Sequence, residues 1–311
     1  MTYSLAIHGG AGTIDRAAMT PDAEAAHRAG LRTALLAGHE VLAAGGSAVE
    51  AVTRAVMALE DDPQFNAGRG AVFTTAGRME MDAAIMDGRD RAAGAVSGII
   101  GPRNPILAAR AVMERCDAVM LAGDGAMAFL RDQGFTFEDA AYFHTERRFD
   151  ALQRELARRR AGAPDRRSDA DRHGTVGAVA RDGQGNLAAA TSTGGMTGKR
   201  PGRIGDCPVF GAGTWAENGA CAVSATGHGE WFIRHGVAHE IAARMRLAGQ
   251  TLEQAASAVV AELHQVGGGG GLIAVDAEGR VSLPFNSDGM YRGTIGPDGV
   301  ALVGIYPGAL A

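Results

Sequence analysis

The segment RHGTVGAVARDGQGNLAAATSTGG, residues 172–195, decides how the chain is read. An arginine-rich run ends at His173-Gly174, and a strand-like stretch begins at once on Thr175. TVGAVARD and LAAATST have the composition of two β-strands, and GQGN between them that of a hairpin turn. Two readings of Thr175 stay open. It is an ordinary β-favouring residue after a linker, or it is a nucleophile that becomes competent once the Gly174–Thr175 bond is cut. An internal hydroxyl is a weak nucleophile, but a threonine at a chain start carries its own base, an α-amine with a reference pKa near ~8. The residue can create that start by attacking the Gly174 carbonyl, moving the acyl group from N to O, with ester hydrolysis following. Glycine at 174 tolerates a strained backbone and leaves the carbonyl open.

Working outward, residues 146–173 hold nine arginines and six acidic residues, with few core-forming side chains after Leu156. A nucleic-acid arm is one reading, but the interrupting carboxylates and the lack of interleaved aromatics favour a helix that frays into an exposed linker. The flanks are ordered. YSLAIHGG (3–10) reads as a buried strand, and residues 21–44 as a helix stopped by Gly45-Gly46. Ser47 caps the next helix, with Glu50 at the capping-box position. AVFTT, MEMDAAIMDG and AAGAVSGII read as strands, and NPILAARAVMER (104–115) as a helix capped by Asn104. CAVSATG (221–227) is a strand, GEWFIRHGVAHEIAARM a helix, and 251–264 another. Short strands GLIAVD, RVSLPF, GMYRGTI and VALVGIY close the chain. Short turns between neighbouring strands favour antiparallel sheets packed with helices.

Bulk properties exclude several classes. The 311 residues carry a formal charge of −5, so no basic field draws nucleic acid. Three dispersed cysteines argue against a disulfide framework or structural zinc site, and no stretch approaches a membrane span. With no cationic signal start, the expectation is a cytoplasmic protein. Forty-six glycines cluster beside short apolar runs, as expected for tight turns at strand ends. GGMTGKR (194–200) lacks the spacing and hydroxyl of a phosphate loop, and neither His-Glu pair, at 39–40 and 239–240, completes a zinc motif. HGGAG (8–12) has no G-x-S-x-G partner, which counts against a serine hydrolase.

Around Thr175 other groups gather. Thr193 ends the neighbouring strand, and Thr226-Gly227 ends another, where a hydroxyl and an N–H could face an oxyanion. Arg203 and Asp206 sit three apart in a Pro/Gly loop. They are either a local salt bridge or a grip for an amino-acid head group.

Taken in order, HGTVGAVA, GNLAAATSTGG, KRPGRIGDCP, GAG and SATGHGE resemble the plant-type asparaginase/isoaspartyl peptidase family of N-terminal-nucleophile hydrolases. HGGAG, FNAGRGAVFT (65–74), MDAAIMDG (81–88) and GLIAVD…LPFN…GMYR (271–292) extend the resemblance over nearly the whole chain. HGTVG is unlike the HDT-I-G type start of the glycan-directed aspartylglucosaminidase branch. The resemblance implies a four-layer αββα sandwich, made as a precursor and self-cleaved at Gly174–Thr175 into segments 1–174 and 175–311. It implies Thr175 as nucleophile, Thr193 as its partner, Thr226 and Gly227 as oxyanion hole, and Asn66 near the nucleophile as an aid to maturation or oxyanion binding. Arg203 and Asp206, with Gly229, would hold the substrate α-carboxylate and α-amine. Backbone carbonyls of Leu59, Glu60, Asp62, Phe65, Ala67 and Arg69 would bind a structural sodium, with no cofactor needed for catalysis. Substrates would be asparagine and β-aspartyl dipeptides, and the assembly a dimer of αβ heterodimers. His228 would tune the entrance.

Overall fold

The computed structural model of the chain describes residues 2–162 and 174–311. Eight strands form the larger sheet: β1 (Ser4–Gly12), β2 (Met81–Asp87), β3 (Ala93–Ile99), β4 (Met120–Ala122), β5 (Val176–Arg181), β6 (Leu187–Thr193), β11 (Gly289–Ile295) and β12 (Leu302–Gly304). Their order is β12-β11-β1-β5-β6-β2-β3-β4, so strands from before and after Gly174 interleave. The smaller sheet holds β7 (Thr214–Ala216), β8 (Cys221–Gly227), β9 (Gly270–Asp276) and β10 (Val281–Ser282), in the order β10-β9-β8-β7. Pairing is antiparallel throughout except at one edge, where β4 runs parallel to β3. Helix α3 (Pro105–Arg115) lies between those two strands in the chain and provides the crossover that parallel pairing needs.

Period-two alternation sorts the side chains into layers. Leu5, Ile7, Ala178, Ala180, Ala188 and Ala190 pack outward against α1 (Pro21–Ala43), α2 (Ala48–Asp61) and α3. Their neighbours Ala6, Val179, Leu187 and Ala189 face the second sheet, meeting Ala222, Ile273 and Val275. On the far side Val223, Ala225, Leu272 and Ala274 pack against α8 (Val237–Ala248) and α9 (Leu252–Gln265). The result is a four-layer αββα sandwich.

Several local expectations are modified. Ser47 caps α2 by accepting the Glu50 N–H at 3.2 Å, but the Glu50 carboxylate turns to Arg110 and does not close a capping box. AVFTT is not a strand and makes one bridge, Thr74 to Lys199. The helix after CAVSATG breaks in two, α7 (Gly229–His235) and α8, at Gly236, whose φ of +56 has left the helical region. Asn104 precedes α3 without a side-chain cap bond, and its amide turns to Asp61.

Of the segment 146–173, expected as a helix fraying into an exposed linker, the helix forms, but one face of it is buried and not part of an exposed linker. Glu146–Arg160 forms helix α6, capped by Thr145, after the short helices α4 (Gly123–Asp132) and α5 (Ala140–Phe143). Leu152 enters the main core beside Phe143, and Arg148 is buried with its Nε donating to the Gly70 carbonyl at 2.9 Å. Counting apolar residues alone overlooked burial through guanidinium–carbonyl bonds, which satisfy charge and backbone together. Residues 163–173 of that expected linker, including His173, lie outside the described residues.

Candidate active site

The site forms where the inner faces of both sheets turn polar at one end. The alternation that buries Ala6, Ala189 and Ala222 between the sheets continues along the same faces to His8, Thr191, Thr193, Ser224 and Thr226, all buried. Thr175 immediately precedes β5 and is itself 6% exposed. Its Oγ1 donates to Thr193 Oγ1 at 3.0 Å, and Thr193 Oγ1 also accepts the Gly195 N–H at 2.9 Å. Thr175 and Thr193 are thus brought together as the neighbouring-strand argument expected.

The Gly174–Thr175 peptide is held on both sides. Asn66 N–H donates to the Gly174 carbonyl at 3.3 Å, while His8 Nδ1 contacts the Thr175 carbonyl at 3.0 Å. Asn66 is fixed in turn: its Nδ2 donates to Gly195 O at 2.7 Å, and its Oδ1 accepts from Val72 N at 3.0 Å. A Cβ at Gly174 would stand 2.8 Å from Asn66 Cβ, and one at Gly10 would stand 2.7 Å from Gly174 Cα. Both positions therefore need glycine for close approach, and Gly10 also for its φ of +109.

Thr226 and Gly227 end β8 on the opposite sheet. Thr226 Oγ1 accepts from Ala11 N at 3.2 Å, which ties it to the end of β1, where Gly10 lies against Gly174. Arg203, Asp206 and Gly229 meet at one point. A Cβ on Gly229 would lie 2.6 Å from Asp206 Oδ1 and 3.3 Å from Arg203 Nη2. Arg203 and Asp206 do not form the local salt bridge with each other; the guanidinium pairs with Glu230, Nη2 to Oε1 at 2.8 Å. Asp206 is buried, its Oδ2 has no hydrogen-bond partner among the described residues, and burial pushes its pKa up to about 7 against the pull of its own backbone amide and of Arg203. His228 precedes α7 at the rim, its Nε2 3.6 Å from Glu230 Oε2.

The strand assignments did not single out one group, His8. Burial lowers its pKa to about 3, so its ring is neutral, and its Nε2 lies 3.0 Å from Ser224 Oγ. Ser224 Oγ meets Thr191 Oγ1 at 2.7 Å, and Thr191 meets Thr214 Oγ1 at 2.6 Å. With Ser224 donating to Nε2, the Nδ1–H points at the Thr175 carbonyl, and every link in the chain has one donor. The signal available in the sequence was positional: His8 and Ser224 sit in phase with apolar residues that face the other sheet.

The proposed sodium loop follows α2. The helical donor for the Leu59 carbonyl would be residue 63, which is Pro63 and has no N–H, and Gln64 N turns to Asp62 Oδ1 at 3.0 Å. The carbonyl end of a helix with a missing donor fits a small cation bound by backbone oxygens.

Sequence comparison places these features among known proteins. Residues 1–305 match the model of a family described as asparaginase. The isoaspartyl peptidase of Salmonella typhimurium is 51% identical over 294 residues, covering 93% of both chains. That of Escherichia coli is 50% identical over 295 residues, covering 93% of this chain and 91% of its own. The isoaspartyl peptidase/L-asparaginase of Homo sapiens is 41% identical over 309 residues, covering 96% and 97%.

Proposed function

The chain belongs to the asparaginase family of N-terminal-nucleophile hydrolases, and from that premise we propose that it hydrolyses β-aspartyl dipeptides and L-asparagine, releasing L-aspartate. The observation that carries this reading is the 3.0 Å contact of Thr175 Oγ1 with Thr193 Oγ1, beside a Gly174 carbonyl already held by the Asn66 amide.

Maturation comes first. Thr175 Oγ adds to the Gly174 carbonyl carbon, and the Asn66 N–H steadies the developing oxyanion. The C–N bond breaks, the α-amine of Thr175 takes the proton, and the ester then hydrolyses. In the mature enzyme that amine accepts the Thr175 hydroxyl proton as Oγ attacks the β-carbonyl of the substrate. Thr193 orients Oγ, Thr226 Oγ1 and the Gly227 N–H stabilise the tetrahedral oxyanion, and ammonia or an amino acid leaves. Water cleaves the aspartyl ester to complete the cycle.

Head-group recognition follows from the charges at Gly229. The substrate α-carboxylate takes the place of Glu230 on Arg203, and the α-ammonium supplies the partner that Asp206 Oδ2 lacks. An α-linked peptide has no free carboxylate and amine together at the reacting residue, so selection for β-linkages results. A structural sodium held by the carbonyls of Leu59, Glu60, Asp62, Phe65, Ala67 and Arg69 would stiffen the loop bearing Asn66. No described helix is long and apolar enough to cross a membrane, and all three cysteines are free, which suits a reducing cytoplasm. We expect a dimer of αβ heterodimers in solution.

Denaturing mass spectrometry tests the reading. Fragments ending at Gly174 and starting at Thr175 are expected, together with aspartate release from both substrates. The Thr175→Ala chain should remain whole and inactive; hydrolysis by that variant would remove Thr175 from its role.

A further inference from the structure

A cavity of about 50 Å³ lies against Gly174 of the scissile bond and is lined by Gly10, Ile14, His27, Asn66, Arg147 and Arg148 among others. We propose that it holds the water that hydrolyses the ester formed during self-cleavage, and that it then receives the new Gly174 carboxylate. This rests on the self-cleavage reading and supplies the step that reading leaves without a named place.

Two observations support the assignment. The volume exceeds the ~10–15 Å³ that a single water needs, and the walls offer polar groups, as an internal water requires. The cavity is also positively charged. Arg147 Nη2 donates to the carbonyls of Pro63 at 3.1 Å and Gln64 at 2.8 Å, and Arg148 Nε to Gly70, which fixes both guanidinium groups beside it. Their field reaches the lining, because after burial they are among the causes that lower the pKa of His27.

The step balances as follows. After the N-to-O shift the Gly174 acyl carbon is bonded to Thr175 Oγ, and the Thr175 amine is free. The water oxygen bonds to that carbon, the C–Oγ bond breaks, and Oγ leaves as a hydroxyl carrying one water proton. The second proton passes to the Thr175 amine. The Gly174 carboxylate remains among the arginines, whose charge favours hydrolysis over return to the peptide bond. Helix α6 thereby serves the chemistry from outside the threonine cluster.

The test follows maturation of freshly refolded full-length chain, with samples quenched and unfolded in acid and then treated briefly with hydroxylamine. Hydroxylamine cleaves an ester and leaves a hydroxamate at Gly174, while an uncut peptide bond at this position survives. Arg147→Met is expected to slow carboxylate formation about tenfold, the effect of losing one charge-assisted interaction, and to raise the hydroxamate fraction. Arg147→Lys should restore most of the rate. Ile14→Phe, which fills the cavity from its apolar wall, should trap ester in the same way and provides a second reading if Arg147→Met folds poorly. Parental carboxylate rates in both variants would overturn the proposal, as would slow cleavage with no hydroxamate, since the acyl shift would then be the affected step. If the parent chain never cleaves, or Thr175→Ala does, the underlying reading fails instead.

Discussion

Replacing Asp206 with Asn should make the protein more stable at alkaline pH while removing its activity. The side chain is buried, one oxygen lacks a partner among the described residues, and its pKa is raised from 3.8 to about 7. A carboxyl with a folded pKa above its unfolded value binds protons more tightly when folded. Its contribution is therefore neutral below about pH 3.8 and becomes increasingly destabilising as pH rises to about 7, then levels off. About three units at ~1.36 kcal/mol each set a ceiling near ~4 kcal/mol, and ~2–4 kcal/mol is a reasonable range. Asn cannot ionise and escapes this cost. For 311 residues, an unfolding entropy of ~2.1 cal/mol/K per residue amounts to about 0.65 kcal/mol/K, so the gain corresponds to about 3–6 °C in Tm. The assay is a thermal melt of parent and Asp206→Asn at pH 4, 6 and 8, with aspartate release measured on the same samples. The two melts should coincide near pH 4 and separate by pH 8, with kcat/KM reduced at least ~30-fold in the variant through loss of the ammonium contact. In the parent, kcat/KM should fall below about pH 7, where Asp206 is protonated. A Tm difference that does not change with pH, or an Asn variant less stable at pH 8, would refute the electrostatic account.

Three other outcomes follow from the geometry. Ser224→Ala leaves the buried His8 Nε2 without its 3.0 Å partner, so a loss of about 1–3 kcal/mol of stability is expected, with kcat lowered more than KM is raised. An unchanged kcat would show that His8 does not position Thr175. Gly174→Val collides with Asn66 Cβ, since even a Cβ would stand 2.8 Å away; fragment appearance should slow at least ~10-fold, and normal maturation would contradict the close approach. Arg203→Lys loses the two-nitrogen grip now made on Glu230, so KM for β-aspartyl dipeptides should rise about tenfold or more with maturation unaffected, and steady-state kinetics check both.

The fold was legible wherever short apolar runs were bounded by turn residues. TVGAVARD, LAAATST, CAVSATG and GMYRGTI each became strands close to their expected bounds and are buried along nearly their whole length. AVFTT misled because β-propensity says nothing about whether a partner strand is available. The site was legible through Thr175 and the residues in sequence with it, which short motifs keep together. His8 and Ser224 were not, because their contact spans 216 positions and two sheets. Arg148 was hidden for another reason: in an arginine-rich run no single guanidinium announces that it will be the one to meet a buried carbonyl. Glu230 as the resting counter-ion of Arg203 likewise depends on how α7 starts, which spacing alone does not give.

The interleaved strand order has a consequence for the protein once it is in two pieces. β1, from the first piece, lies between β11 and β5 of the second, and β6 of the second lies beside β2 of the first. The four-stranded sheet lies wholly in the second piece, but neither piece can assemble the eight-stranded sheet without the other, so cutting the covalent link should not let the halves drift apart. Their separation would require dismantling hydrogen-bonded ladders on both sides of β1. Mature protein should accordingly melt and dissociate in a single event, with a Tm that rises more steeply with protein concentration than that of the uncut chain, which separates into fewer pieces. Fragments expressed apart would each carry orphaned strand edges and be prone to aggregate until they meet.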